Sequence, residues 1–316
     1  MLQKLANEIL CEILSYLAAD KQLLCHVAIQ SRRLSELVRP ILIREVRLVT
    51  SQLSKDPASQ LIIRSILESD VLASMVHDVS IGWSKGDETI RNIHNMNNKV
   101  LERLTRLRSL TIWARLERPL WKHQYLKKNS LEFLTHLELH IAGLTPPDMV
   151  KYMFLKSLRS LSISWINKPE VPKLPNSFSY GDSNISSMEL GSRFHLPEDV
   201  LHEILKYPRS LKTLVTNLPG QDVLNDYPTP SSVVTTPLSP AGVARALEPT
   251  KASLMELTLV DLDCDWPGHD DSRTDLRSFI ALKKLRIASR CYFLPGNSTR
   301  DGIVDFLPAS VEELEV

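Results

Sequence analysis

Two hydrophobic periods divide the chain. Between Leu5 and Leu48 the apolar residues recur at helical spacing in three short groups. Ile9, Leu10, Ile13, Leu14 and Leu17 mark a helix over Asn7 to Tyr16, with Asn7 as its expected N-cap. Leu23, Leu24 and Val27 follow Asp20, a second cap. Leu34, Leu37 and Val38 follow Ser31, and Pro40 is expected to stop that helix, because proline has no N–H to continue it. Fully burying a Leu or Ile stabilises by roughly 1.5–3 kcal/mol, yet a body of about 40 residues seldom stabilises itself without a partner, a metal or disulfides. Part of this apolar surface is therefore expected to face something else.

Beyond Pro40 the period shortens to two. A signature of two or three Leu-like residues on alternate positions, often with another three residues earlier, recurs along the chain. It reads Val46-Leu48, Val79-Ile81, Leu107-Leu110-Ile112, Leu134-Leu137-Leu139, Leu158-Leu161-Ile163 and Met188-Leu190. It continues as Leu211-Leu214, Leu254-Leu257-Leu259, Leu282-Leu285-Ile287 and Val311-Leu314-Val316. From position 79 onward the central residues stand at 79, 110, 137, 161, 188, 214, 257, 285 and 314, a narrow spacing with one long step. Alternate apolar positions predict short strands with one face buried. Helical patterns lie between them: Ala58 to Met75, Asp87 to Leu104, Pro146 to Leu155, Pro197 to Tyr207, and Asp301 to Leu307 with Ser298 or Thr299 as cap. A strand-then-helix unit of this length cannot hide its apolar face alone, so the units must stack on one another. The fold class is α/β. Ordinary βαβ units are the competing reading; short strands, a narrow period and the lack of Gly-rich phosphate loops weigh against it.

The long step holds residues 220–241, rich in Pro, Ser and Thr, which predict a flexible insertion with no core of its own. Thr229, Thr236 and Ser239 each precede Pro and are candidates for proline-directed phosphorylation, against the plainer reading of a passive loop. The chain ends on Val316 inside a strand signature, which implies a closing edge, a continuation or a pairing edge.

Composition narrows the function classes. Hydrophobic residues make up 43% and charged residues 24%, and the net charge is +1, so no basic footprint points to nucleic acid or an anionic membrane. Cys11, Cys25, Cys264 and Cys291 are scattered, as reduced thiols of an intracellular protein would be. No signal-peptide pattern and no membrane-length apolar run is present. The expected compartment is cytoplasmic or nuclear.

Candidate chemistry is sparse. Gly-x-Ser-x-Gly, Cys-x-x-Cys, His-Glu-x-x-His and phosphate-loop patterns are all missing, so no catalytic residues, metal or cofactor are expected. His136 and His140 share a predicted strand face, roughly 13 Å apart by strand rise, too far for one metal. Asp261, Asp263, Asp265, Asp270 and Asp271 surround Cys264 and His269; the spacing is not that of an EF-hand, and a solvated acidic loop is the simpler reading. Trp83, Trp113, Trp165 and Trp266 follow predicted strands. Trp and Arg anchor interfaces, so Trp83, Trp113, Arg115 and Trp165 are candidate contacts for a protein substrate, with core filling the alternative for each Trp.

The first stretch resembles an F-box. Leu5, Ala6, Asn7, Glu8 and Ile9 stand at its Leu-Pro-x-Glu-Ile start, followed by Tyr16-Leu17, Asp20 with Leu23-Leu24, Ser31-Arg32, and Leu37, Pro40 and Leu42. Ala6 replaces the usual Pro, which removes a preset φ at the helix start, and the Trp that many members carry near Ser31 is missing. The remainder from residue 46 resembles irregular leucine-rich repeats, although Arg115, Ala142, Ile166, Leu262 and Arg290 stand where an Asn or Cys usually follows each strand. The resemblance implies an F-box domain over 1–45 and a leucine-rich-repeat domain over 46–316. In that arrangement short parallel strands line the concave side of a solenoid and helices lie outside. It further implies a non-catalytic substrate-recognition subunit of an SCF-type cullin-RING ubiquitin ligase. Such a subunit binds a Skp-type adaptor, and through it a cullin, by the F-box, and an unidentified target protein by the repeats. The adaptor-facing residues would come from Leu5, Ala6, Ile9, Leu10, Ile13, Leu14, Leu24 and Val27. A plain repeat scaffold, or an F-box protein acting outside the ligase, are the alternatives.

Overall fold

The computed structural model describes residues 5–49, 57–83, 99–114, 131–141, 144–164, 178–191, 196–217, 238–260, 270, 272–292 and 302–316. They fall into two compact units, one from Leu5 to Trp113 with Leu131 to Leu134, the other from Thr135 to Val316.

The first unit opens with α1 (Asn7–Tyr16), α2 (Lys21–Ala28) and α3 (Arg32–Ile43). Two of the three expected caps hold: Asp20 accepts from the Leu23 N–H at 2.9 Å, and Ser31 from the Leu34 N–H at 3.2 Å. The third does not. Ala6 is the N-cap of α1, and Asn7 Oδ1 instead accepts from the Arg33 guanidinium, which also reaches the Leu5 carbonyl at 2.6 Å. Arg33 thereby ties the start of α1 to α3. Pro40 does not end α3 either. The helix runs on to Ile43 with Pro40 on its exposed side, because Val38, Leu37, Ile41 and Leu42 keep packing on the core around Leu14 and Leu24. Tertiary burial here outweighs the lost N–H.

Strand β1 (Glu45–Val49) follows α3 at once, then α4 (Pro57–Glu68), α5 (Asp70–Met75), β2 (Asp78–Trp83) and β3 (Ser109–Ala114). The single helix expected over Ala58 to Met75 is broken by Ser69, which caps α5 through the Leu72 N–H. Residues 99–103 are helical; the rest of the helix expected from Asp87 lies outside the described residues. Within this unit Lys21 of α2 pairs with Glu45 of β1 at 3.4 Å.

In the second unit strands and helices alternate as β4 (His136–Ile141), α6 (Pro146–Met153), β5 (Ser160–Ser164), β6 (Ser187–Leu190), α7 (Glu198–Leu205), β7 (Thr213–Asn217), α8 (Pro240–Leu247), β8 (Glu256–Val260), β9 (Lys284–Ile287) and β10 (Glu313–Glu315). Every strand lies parallel to the next in sequence. In the first unit the order is likewise β1, β2, β3, with β1 and β2 parallel. The architecture is thus α/β, repeat-like, with parallel strands.

One hydrogen-bond pattern fixes the register throughout. A carbonyl just before one strand accepts two successive N–H groups just before the next. Arg44 takes those of His77 and Asp78, Arg159 those of Ser186 and Ser187, Ser186 those of Lys212 and Thr213, and Lys212 those of Met255 and Glu256. These bonds satisfy backbone at the start of each strand. The apolar signature fills the interior. Leu158, Leu161 and Ile163, like Leu254, Leu257 and Leu259, are buried in each repeat, and Met149, Val150, Ile204, Leu205, Val243 and Leu247 from the helices are buried as well.

Two further expectations are corrected. Residues 238–241 belong to folded structure, since Ser239 caps α8 through the Gly242 N–H with Pro240 in its first turn. The remainder of the expected insertion, with Thr229 and Thr236, lies outside the described residues. Toward the chain end the expected helix is a 3-10 turn, Ile303–Phe306, preceded by Gly302 at φ 87°, a conformation only glycine adopts without strain.

Candidate interaction surfaces

Two described faces carry side chains with something to offer. The first is the outer side of α1. Ile9, Ile13 and Tyr16 fall at i, i+4 and i+7 on one stripe, exposed by 48%, 39% and 79%. Leu10 and Leu14 point the other way into the core, and Leu24 is wholly buried opposite them. This divides the expected adaptor set. Ile9, Ile13 and exposed Ala6 face solvent, and Leu5 and Val27 are half-buried, Val27 against the helical core. Leu10, Leu14 and Leu24 are corrected to core residues, since a side chain already enclosed has no surface left for a partner. The sequence reading missed Tyr16 and Leu23, the latter 41% exposed on α2. Extending the helical period of Ile9 and Ile13 by one step finds Tyr16.

The second face is the outward side of the strands in the second unit. Period-two alternation turns Leu and Ile inward and leaves polar residues outward. Across β4 to β8, one outward row reads His136, Ser160, Ser187, Thr213 and Glu256, and the next reads Glu138, Ser162, Glu189, Val215 and Thr258. Small hydroxyl side chains dominate, with carboxylates between them. Glu138 holds the imidazole of His140, with Oε1 2.6 Å from Nε2. Ser164 sits beside His140 in register, but its hydroxyl leans the other way, toward β6, where a Cβ on Gly191 would collide with it. His140 and Ser164 therefore do not form a nucleophile–base pair.

At the far edge the face is charge-paired. Lys283, Lys284 and Arg286 bond to Glu312, Glu313 and Glu315 at 2.9, 3.2 and 3.1 Å. All three residues of β10 are exposed, so these pairs and the backbone ladder carry its attachment to β9.

Beside α7 a cluster of aromatic rings forms a third, structural feature. Phe154 stacks on Phe178 and meets Tyr207 edge-on, and Tyr180 leans on Tyr207. The Tyr180 hydroxyl donates to Glu203 at 2.6 Å, while Lys206 pairs with the same carboxylate and lies over the Tyr180 ring. That hydrogen bond, with some desolvation, raises the Tyr180 pKa to about 12. Bonds from Lys206 and Tyr180 hold Glu203 below the usual carboxylate range.

Of the expected substrate contacts, Trp113 ends β3 and is 48% exposed, which is not the setting of a core filler. Trp83 closes β2, and its side chain is outside the described residues, as are Arg115 and Trp165. Trp266 and the acidic loop also lie outside them, apart from Asp270, which accepts from the Ser272 N–H at 3.2 Å. Among the described residues no group of three or more His, Cys, Asp or Glu is placed to hold a metal ion, and no helix is long and apolar enough to cross a membrane.

No protein-family profile and no curated protein sequence matches the chain. Among solved structures, the crystal structure of a protein from Bacteroides fragilis is similar over 75% of this chain and 78% of its own, at 13% identity and a TM-score of 0.34, a likeness too distant to bear on fold or function.

Proposed function

We propose that the chain is a non-catalytic receptor subunit of an SCF-type ubiquitin ligase: an F-box in its three N-terminal helices docks a Skp-type adaptor, and a solenoid of irregular leucine-rich repeats holds a target protein. The observation that carries the reading is the outward stripe of Ile9, Ile13 and Tyr16 on α1. Three large apolar side chains on one helical face lose hydration only when something covers them, and they occupy the stretch where the F-box resemblance lies. Holding a target near a ubiquitin-charged enzyme raises the effective concentration of its lysines, so no reactive group is required of this chain.

A second reading, a plain repeat scaffold whose helices cap the strands, is favoured by the direct passage from α3 into β1. The two separate on α1. Co-expression of the full chain with a Skp-type adaptor should give a complex that co-elutes. The double variant Ile9→Asp, Ile13→Asp should abolish co-elution while leaving the melting temperature within about 3 °C, since both positions are substantially exposed. Full-length protein that is monodisperse alone and ignores the adaptor, with Ala6→Pro as well as without it, sinks the ligase reading and leaves the scaffold.

A further inference from the structure

We propose that the rim where β5, β6 and β7 begin docks an acidic, extended protein segment, held by Lys156, Arg159, Arg209 and Lys212. The inference uses only the second unit and does not rest on the adaptor reading of α1.

Backbone bonds gather the four cations around one segment, residues 181–186. On one side of it the Arg159 carbonyl accepts the N–H groups of Ser186 and Ser187, and the Lys156 carbonyl accepts from the Asn184 side chain at 3.2 Å. On the other side Arg209 donates its N–H to the Ser183 carbonyl and its Nε to the Gly181 carbonyl, and Lys212 donates its N–H to the Ser186 carbonyl. Arg159 and Lys212 are thus two strands apart, about 10 Å by inter-strand spacing. All four residues are exposed.

A second observation is independent of their position. On or beside the helices of this unit, Lys151, Lys206, Arg245 and Lys251 each meet a carboxylate, as do Arg277 and the cations of the far edge. Arg273 lies over the Phe306 ring. Among the described side chains of the unit the cations that remain are Lys156, Arg159, Arg209 and Lys212, and none of them has a carboxylate within ion-pair distance among the described residues. Asp182 is exposed in the segment they flank and makes no ion pair with them. In a chain of net charge +1 the unpaired positive charge of this unit is therefore concentrated at one place, where like charges repel and an anionic segment relieves them.

The two guanidiniums are already held in place. Arg159 donates from Nη1 to the Leu158 carbonyl at 3.1 Å, and Arg209 from Nε to the Gly181 carbonyl at 3.2 Å. A guanidinium has five N–H donors, so each keeps others for a carboxylate and loses little freedom on binding one. A polyproline II chain rises about 3.1 Å per residue with three residues per turn, so carboxylates at i and i+3 stand on one side roughly 9 Å apart, close to the separation of Arg159 from Lys212. Asn184 and Ser186, between them, offer polar side chains to the backbone of such a segment. A nucleic acid fits less well. It draws on roughly six or more phosphate contacts, and beyond Lys212 the row passes to Met255 and Glu256, where the charge reverses.

The test uses purified full-length protein and a fluorescein-labelled nine-residue peptide of serine and proline with glutamate at its third and sixth positions, read by anisotropy at low salt. A matched peptide carries glutamine at both. The glutamate peptide should bind about tenfold more tightly than the glutamine peptide. Arg159→Gln should weaken it about fivefold, and the double variant Lys156→Gln, Lys212→Gln should do at least as much. A triple variant that removes paired cations elsewhere, Lys151→Gln, Lys251→Gln and Lys284→Gln, should stay within about twofold. If Arg159→Gln proves unfolded by thermal melting, the lysine double variant carries the test, since neither lysine side chain makes a bond among the described residues. Equal binding of the glutamine peptide, equal weakening by the triple variant, or tighter binding of a twelve-nucleotide thymidine strand than of the glutamate peptide overturns the proposal.

Discussion

The outer side of α1 and the outward strand face of the second unit are both exposed, yet they are composed in opposite ways. On α1 apolar residues occur on more of the helix than one buried stripe can absorb, so Leu10 and Leu14 go inward and Ile9, Ile13 and Tyr16 are left outside. On β5 the alternation turns Leu161 and Ile163 inward and leaves Ser160 and Ser162 half-exposed on the other side, with Ser164 buried at the strand's end. An excess of apolar side chains leaves hydrocarbon hydrated; alternation leaves mostly polar side chains there. The difference lies in the sequence pattern, and the packing only reveals which residues take which side.

The sharpest way to break the comparison is inside the two cores. Leu161→Ala, at a wholly buried site, should cost about 2–5 kcal/mol of unfolding free energy, read from the urea midpoint. Leu14→Ala should cost a similar amount. Ile13→Ala, one residue away and exposed, should cost under about 1 kcal/mol. Equal losses at Leu14 and Ile13 would mean that α1 has no outer side. Next in size is Arg33→Ala, which removes the bonds to Asn7 and the Leu5 carbonyl. A loss of about 1–2 kcal/mol is expected, with the amides at the start of α1 exchanging faster.

Alkaline titration probes the aromatic cluster. The Tyr180 pKa is raised in the folded protein, so its contribution to stability is intact below about pH 10 and is lost as pH climbs through about 12. Ultraviolet difference absorbance should show one tyrosine ionising near pH 12. Glu203→Gln should bring that midpoint back toward 10, and Tyr180→Phe should delete it. The smallest effect is expected at β10. Exposed ion pairs contribute only about 0.2–1 kcal/mol each and are screened by salt. In 1 M NaCl the amides of Glu313 to Glu315 should exchange several-fold faster, while those of β5 stay unchanged.

Much of this fold was legible before any coordinates. The apolar signatures from Val46-Leu48 to Leu282-Leu285-Ile287 fall at strands that bury them, because a period of two has one good solution when a face must be buried; at Val311-Leu314-Val316 a strand forms, but Leu314 and Val316 stay exposed. The caps Asp20 and Ser31 were also legible, being set by local hydrogen bonding. Two misreadings share a cause. Local propensity decides neither Asn7 nor Pro40, which are set by Arg33 and by the packing of α3. The break at Ser69 is different, a local cap of the same kind as those at Asp20 and Ser31. The row of Glu138, Ser162 and Glu189 across three strands was illegible for another reason. It depends on which strand lies beside which, and Glu138 and Glu189 are 51 residues apart in the chain. Signals of that kind appear only once register is known.

The shared carbonyls at the strand starts carry a consequence for tolerance to change. Lys212 receives Met255 and Glu256 across 43 residues in the same way that Arg159 receives Ser186 and Ser187 across 27. Alignment of neighbouring strands is therefore indifferent to how much polypeptide runs between them. An insertion made between β7 and α8 is therefore expected to leave the ladder on either side in place.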